Sequence, residues 1–421
     1  MKKIVFTVVV ALLSVTGFAQ SLDDIGEMID KSQYTQARAA IDKFLLNPKK
    51  ANDAEAWFFK GVIYNAISKD ATASADSSYQ WKEVAYRAFQ KNQQLDPKDI
   101  RLTFQQHIPY LDLYFEFMNL GVKYFNQKNF DGALESFKKA NDVKDYIVAK
   151  KYEYEQAKLY PLDTSLIRNI AITAMQAKKE DEGILYLNKL IDANVSGDDF
   201  FDVYSTVAEY HLKKNDKAAL STLVDKGRKY YPNNTYWYEV ELRSIGENPA
   251  KEELFKKYEE LIAKDPESFY LYYSLGVEMF KSNNSMDILT DADMTRQNRL
   301  TEVLKKAAML EGKDDVSATI LLANHLYRYA YDLQNTAKAI KGAKPEDVKK
   351  KNMIKDASQK NVDDCLQASI KSVEFIDALS TKTSMQKANY KILLGFMKEI
   401  YETKGDKVKA ADTQKKIDKA E

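Results

Sequence analysis

The sequence predicts an all-α chain folded as a solenoid of stacked helical hairpins, and three observations carry that prediction. The 421 residues hold only 14 glycines and 8 prolines while Leu, Ala, Lys, Glu and Tyr abound, so turns are few and helix formers many. Small and aromatic residues recur at a fixed step through the middle of the chain. Prolines close the repeated units, where a helix has to stop.

The first element stands outside the array. "MKKIVFTVVVALLSVTGFAQ" pairs two lysines with an apolar run from Ile4 to Val15 and small residues at Gly17 and Ala19, which predicts a secretory signal peptide over residues 1–19, cut near Ala19/Gln20. The run is shorter than the roughly 20 apolar residues that span a bilayer. No later stretch comes closer, so no integral membrane segment is expected after cleavage. A single cysteine, Cys365, permits no intramolecular disulfide, and it sits in the apolar stripe of "VDDCLQASI", where it reads as core packing. No cysteine lies near residue 20, so the exported chain is expected to be periplasmic or secreted and not a lipoprotein.

The array itself begins with "WFFKGVIY", which offers Trp57, Gly61 and Tyr64, answered by Ala85, Phe89 and Pro97 across the polar stretch 68–80. Next comes "FMNLGVKYFNQKNFDGALESFKKAND", with Phe117, Leu120, Gly121, Tyr124, Ala133, Phe137 and Ala140; Asp145 stands where the closing proline would be. Ile167, Ile170, Ala171, Ala174, Gly183, Leu187 and Leu190 follow in phase. The period is clearest further on, where Tyr204, Tyr238 and Tyr272, then Leu220 and Leu254, then Pro232 and Pro266 all step by 34. A hairpin starting at Tyr272 carries a second insert, 282–297, before Leu300, Leu304 and Ala307. Beyond residue 315 the pattern fades, although Gly395 in "YKILLGFMKEIY" fits a last helical pair, and the lysine-rich stretch 337–360 reads as a solvated loop or exposed helix.

A 34-residue step with aromatic, Leu-Gly, Tyr, then Ala, Phe and Pro resembles the tetratricopeptide repeat. The resemblance covers roughly residues 25–311. It implies an α-solenoid of tetratricopeptide-type hairpins wound in a right-handed superhelix: an array over 20–315 and degenerate helical repeats over 316–421 that continue it. Small residues such as Gly121, Gly276, Ala133 and Ala171 would sit where two helices cross, with Tyr124, Phe137 and Phe89 filling the groove between them.

Chemistry is mostly excluded. His107, His211 and His325 lie far apart and none has a His or Cys at helical metal-site spacing, and no nucleophile elbow, phosphate-binding loop or zinc-protease motif is present. Ser136/Lys139 and Ser384/Lys387 match S-x-x-K without its companion motifs. Paired acids in "SLDDIG", "SGDDFF" and "GKDDVS" precede apolar runs and read as helix caps, while Asp287, Asp291 and Asp293 lack the glycine and closing glutamate of a calcium loop. Without Lys2 and Lys3 the chain holds 61 basic and 62 acidic residues, so no nucleic-acid partner is expected. Neither an enzyme, a cofactor nor a bound metal is expected.

What remains is surface. In the family the chain resembles, ligands lie in the groove lined by the first helix of each hairpin, which implies here Phe115, Met118 and Phe125; Ser165, Arg168 and Ile172; Asp202, Ser205 and Glu209. The aromatic end of that groove, Tyr236, Glu239, Arg243, Tyr270, Tyr273 and Phe280, is the expected partner-binding face. The resemblance implies a scaffold for a protein or peptide of the cell envelope. Similarity to starch-binding outer-membrane proteins built on the same repeats implies glycan capture as the alternative, against which stands their usual lipid anchor.

Overall fold

The computed structural model describes residues 21–98, 100–155, 157–246, 248–283 and 288–420; the leader expected over residues 1–19 lies outside them. Every regular element among the described residues is helical, and no helix there is long and apolar enough to cross a membrane. The chain divides at Tyr210/His211 into two compact units.

The N-terminal unit runs α1 (Leu22–Asp30), α2 (Tyr34–Leu45), α3 (Ala54–Ile67), α4 (Ala75–Leu95), the short α5 (Ile100–Phe104), α6 (Ile108–Asn126), α7 (Phe130–Lys150), α8 (Thr164–Gln176), α9 (Glu180–Asp192) and most of α10 (Phe201–Lys214). The C-terminal unit continues with α11 (Lys217–Tyr230), α12 (Tyr236–Arg243), α13 (Lys251–Lys264), α14 (Phe269–Ser282), α15 (Asp291–Leu310), α16 (Ser317–Ala339), α17 (Pro345–Ala378), α18 (Ser384–Thr403) and α19 (Lys407–Lys419). The fold class is the expected one. α3/α4, α6/α7 and α8/α9 pack as hairpins in the N-terminal unit, where α4 meets α6 and α7 meets α8; α14/α15, α16/α17 and α18/α19 do so in the C-terminal unit, where α15 meets α16 and α17 meets α18. Pro97, Pro232 and Pro266 each stand two residues past the end of α4, α11 and α13, because proline cannot continue a helix.

The crossings follow the small-residue pattern. Gly121 of α6 lies against the ring of Phe137 of α7, so close that a Cβ there would come within 2.6 Å of it; Gly61 meets Phe89 and Gly276 meets Leu304 in the same way. Phe89, Phe117 and Phe137 are all buried, joined in one core with Tyr110, Leu134 and Ile170. The C-terminal unit has its own core around Leu271, Leu300, Leu304, Leu326 and Leu393.

Two of the three acidic pairs cap helices as expected, whereas Asp198 and Asp199 lie within the short 3-10 helix Asp198–Phe200. Asp24 and Ser21 close a capping box at α1, and Asp315 accepts hydrogen bonds from the Ser317 amide (2.9 Å) and hydroxyl (2.6 Å) at the start of α16. Asp293 forms a capping box with Thr290 at α15, which explains it without calcium. Asp287 lies outside the described residues.

Two expectations are corrected and a third is refined. The stretch 68–80 is not a long turn: Ser74 caps Ser77 (3.1 Å) and α4 starts at Ala75, so much of the polar segment lengthens the second helix. Likewise, α15 starts at Asp291 inside the second insert. Both extensions receive the next hairpin: Tyr79 meets Phe117 edge-on at 5.8 Å, and Tyr329 donates to Asn298 at 2.9 Å. Of the two readings of 337–360, the exposed helix holds over most of it. α17 runs through it from Pro345, exposing lysines while burying Ile354 with Tyr329 and Leu333, and Ser358 donates to the Ala330 carbonyl at 2.9 Å. Lysine content hid a one-sided apolar stripe.

The crossings predict opposite outcomes at two helical glycines. Gly121→Val forces α6 off Phe137 and should cost about 1–3 kcal/mol. Gly395, with open space beside it, should gain about 0.5–1 kcal/mol as Gly395→Ala through helix propensity alone. Thermal melts followed by circular dichroism check both; equal shifts would refute the close-packing account.

Candidate functional site

The six residues of the expected aromatic face fall into three settings. Tyr236 opens α12, half-buried, with its ring edge-on to Trp237 at 5.2 Å. Trp237 is fully buried over Gly227, so it fixes Tyr236 to the α11/α12 crossing. Arg243 is exposed at the last turn of α12. Tyr270 is the second residue of α14 and not the first, so its register differs by one from that of Tyr236.

Glu239 and Tyr270 form the second setting. Tyr270 stacks on Tyr238 at 5.9 Å, with its hydroxyl hydrogen-bonded to Glu239. Burial first, and the Glu239 charge second, push the phenol up to about 12, so it stays a neutral donor. Arg228 lies 4.3 Å over the Tyr238 ring and pairs with Glu241. This aromatic ladder ties α12 to α14.

Tyr273 and Phe280 make the third setting, a cleft of ≈ 440 Å³ lined by the first helices α14, α16 and α18. They stand seven residues apart, two turns along one face of α14. From α16 come Ile320, Asn324 and Arg328, at the i, i+4, i+8 spacing that shares a face; from α18 come Met385 and Asn389; Phe375 of α17 adds to the wall and Asp315 stands at one side. The Arg328 guanidinium lies 5.1 Å over the Phe280 ring and has no carboxylate partner among the described residues. Phe269 stacks on Tyr273 at 5.4 Å and holds that ring upright. Burial raises the Tyr273 phenol above its ordinary range, Asp315 adds to this, and a hydrogen bond from Ser317 opposes it. The cleft thus offers an apolar floor, a cation at one end and a carboxylate at the other.

Arg328, Asn324, Met385 and Asn389 are absent from the sequence-derived set because the 34-residue pattern fades before α16. The i, i+4, i+8 spacing of Ile320, Asn324 and Arg328 was the available signal. Groove positions of the N-terminal unit are engaged differently: Arg168 pairs with Asp202 at 2.9 Å and lies 5.4 Å over Phe200. Phe115 is exposed against Tyr114.

The nucleophile and histidine candidates are structural. The Cys365 thiol is buried on α17, donates to the Ala323 carbonyl at 3.4 Å and is pushed by burial up to about 12. Ser136 donates to the Gly132 carbonyl at 2.8 Å inside α7. His325 is buried, 2.7 Å from the Thr301 hydroxyl, and burial lowers its pKa to about 4. His107 stacks on Tyr152 at 3.7 Å. Among the described residues no group of three His, Cys, Asp or Glu is placed to hold a metal.

No protein-family model matches the chain, and no curated protein matches it. Among solved structures it is similar to a chain of the Naa15/Naa10 complex bound to HypK-THB, at 12% identity over 95% of this chain and a TM-score of 0.31. It spans 58% of the length of that chain. Yeast Tom70 (13% identity, 94% of this chain and 99% of that one, TM-score 0.22) and human IFIT1, solved as a dimer with PPP-AAAA (11% identity, 87% and 94%, TM-score 0.22), are similar over comparable lengths.

His325 yields a pH prediction. Its folded pKa lies below the ordinary 6.5, so its stabilising contribution is complete above about 6.5 and is lost as pH falls toward about 4. Wild type should therefore lose stability relative to His325→Gln by on the order of 1 kcal/mol per pH unit within that window. Denaturant melts at pH 7, 6 and 5 measure this, and a difference constant with pH would contradict it.

Proposed function

We propose that this chain is an exported, non-enzymatic scaffold of the cell envelope, periplasmic or secreted, which holds a protein segment in the cleft formed by α14, α16 and α18. The observation that carries this reading is the cleft itself: three consecutive first helices turn Tyr273, Phe280, Ile320 and Met385 toward one open channel and leave Arg328 without a carboxylate partner among the described residues. A segment suited to it carries an apolar or aromatic side chain for the floor and a carboxylate for Arg328. Aromatic and Arg anchors of this kind dominate interface energetics, and a cleft this size takes a few side chains, not a folded domain. Export rests on the leader-like residues 1–19 and on a chain with one cysteine, which needs no disulfide to fold outside the cytoplasm.

The test uses a peptide and glycan array with the purified chain, followed by fluorescence anisotropy on the best binder. Acidic peptides with an aromatic residue should be captured, and Tyr273→Ala and Arg328→Ala should each weaken the complex about tenfold or more with helical content unchanged. Capture of sugars alone, or peptide affinity indifferent to both variants, would overturn the reading. Intact mass of the chain secreted with its own leader should begin at Gln20 without an acyl group.

A further inference from the structure

The last hairpin and the end of α17 flank an open pocket of ≈ 920 Å³ unlike the peptide cleft in character. Five lysines line it: Lys382 before α18, Lys387 and Lys391 on α18, and Lys416 and Lys419 on α19. Among the described residues, one carboxylate faces them. Asp377 accepts a hydrogen bond from the Tyr390 hydroxyl at 2.6 Å and pairs with Lys416 at 2.9 Å, so it fixes the wall while neutralising one ammonium. Lys387, Lys391 and Lys419 have no carboxylate partner among the described residues. In a chain whose formal net charge is +1, such an excess in one cavity does not follow from composition.

Helix stabilisation accounts for only part of it. Lys416 and Lys419 lie in the last turn of α19, where the dipole favours cations, and Lys382 donates to the Leu379 carbonyl at the end of α17 (3.3 Å). Lys387 is the reverse: it is the fourth residue of α18, in a first turn where the dipole is positive and no acidic residue stands, and Lys391 follows one turn further along the same face. At i and i+4 the two like charges repel each other along that face. An anion in the cavity removes that repulsion.

We propose that this cavity binds a ligand carrying two or more phosphate groups, free in solution or as a lipid headgroup. The donor set favours phosphate over a carboxylate peptide, because no arginine lines the cavity to supply a planar two-pronged contact; lysines act as mobile point charges suited to clustered tetrahedral oxyanions. The site is distinct from the cleft of α14, α16 and α18 and does not rest on the reading given for that cleft.

The experiment titrates the full chain with inorganic tripolyphosphate by calorimetry, and in a second arm floats it with phosphatidylcholine vesicles with and without cardiolipin. The site variant is Lys387→Gln/Lys391→Gln/Lys419→Gln; these side chains are exposed, so folding should survive. A charge-matched control, Lys341→Gln/Lys349→Gln/Lys355→Gln, removes exposed lysines elsewhere. Tripolyphosphate affinity, or cardiolipin-dependent flotation, should fall at least about tenfold in the site variant and stay within about twofold in the control. Binding in the soluble arm alone indicates a free ligand; flotation alone indicates a headgroup. Equal losses in both variants, an unchanged site variant, no binding by wild type in either arm, or tighter binding of polyglutamate at the same lysines would each overturn the proposal.

Discussion

The structure depends on how closely two helices of a hairpin can approach. At Gly61, Gly121 and Gly276 the first helix has no side chain, and the large residue opposite, Phe89, Phe137 or Leu304, occupies the space a Cβ would need. Sixteen residues separate the partners in α6/α7, and 28 separate them in both α3/α4 and α14/α15. The contact is therefore kept while the chain between its partners varies. Gly183 makes the same economy from the other side, with the Ala171 carbonyl 2.9 Å from where its Cβ would lie. A first helix drawn in on one side by its partner leaves its opposite side to neighbouring first helices, which is why the cleft is built mainly from α14, α16 and α18, with Phe375 of α17 adding to one wall.

Much of this was legible in the sequence because it is written as residue size at fixed spacing. The turns were not. Ser32, Lys128, Lys178, Asn215 and Gly405 all adopt left-handed φ between 54° and 76°, each two residues before the next helix begins. In each, the following amide reaches back to a carbonyl five residues earlier, as Asn129 does to Tyr124 (2.9 Å) and Asp406 to Tyr401 (2.9 Å). Only one of the five is glycine, so a search for turn residues finds Gly405 and passes over Lys128 and Lys178. There the backbone strain of a non-glycine residue, about 1 kcal/mol or more, is offset by the paired carbonyls and by the packing of the helices on either side.

The inserts show a second limit. Their polar, small-residue composition reads as loop, yet Ser74 and the Thr290/Asp293 box start helices inside them, and the side chains that matter are those the next hairpin meets. Tyr79 and Leu289 are buried or half-buried by contacts more than thirty residues distant, Leu289 donating its amide to Thr336. Propensity cannot anticipate such a contact. The candidate cleft failed to emerge whole for the same reason: Tyr273 and Phe280 lie within the recognisable repeat, whereas Arg328 and Met385 come from helices whose repeat spacing has drifted.

Tyrosine is where the sequence misleads most, and the structure supplies a reason for its abundance. Twenty-seven tyrosines invite a reading as binding surface. Yet Tyr64 donates to Asp42 (2.6 Å), Tyr114 to Asp163 (3.1 Å), Tyr210 to Asp181 (2.8 Å) and Tyr390 to Asp377 (2.6 Å), and Tyr124, Tyr238 and Tyr327 reach Asp76, Asp265 and Glu399. In each case the phenol belongs to one helix and the carboxylate to another helix or to a residue capping it. Hydrogen bonds to a charged partner contribute about 1.5–3 kcal/mol when shielded and less where water reaches them, so several partly exposed ties can pin a stack whose units share only nearest-neighbour contacts. A tyrosine suits the task because its ring packs in the groove while its hydroxyl reaches the rim. Aromatic content along such an array therefore reports cohesion before it reports recognition. The cleft is distinguished instead by what is left over after cohesion is satisfied: a guanidinium stacked on Phe280 with no acid to pair with among the described residues, above an apolar floor that three helices share.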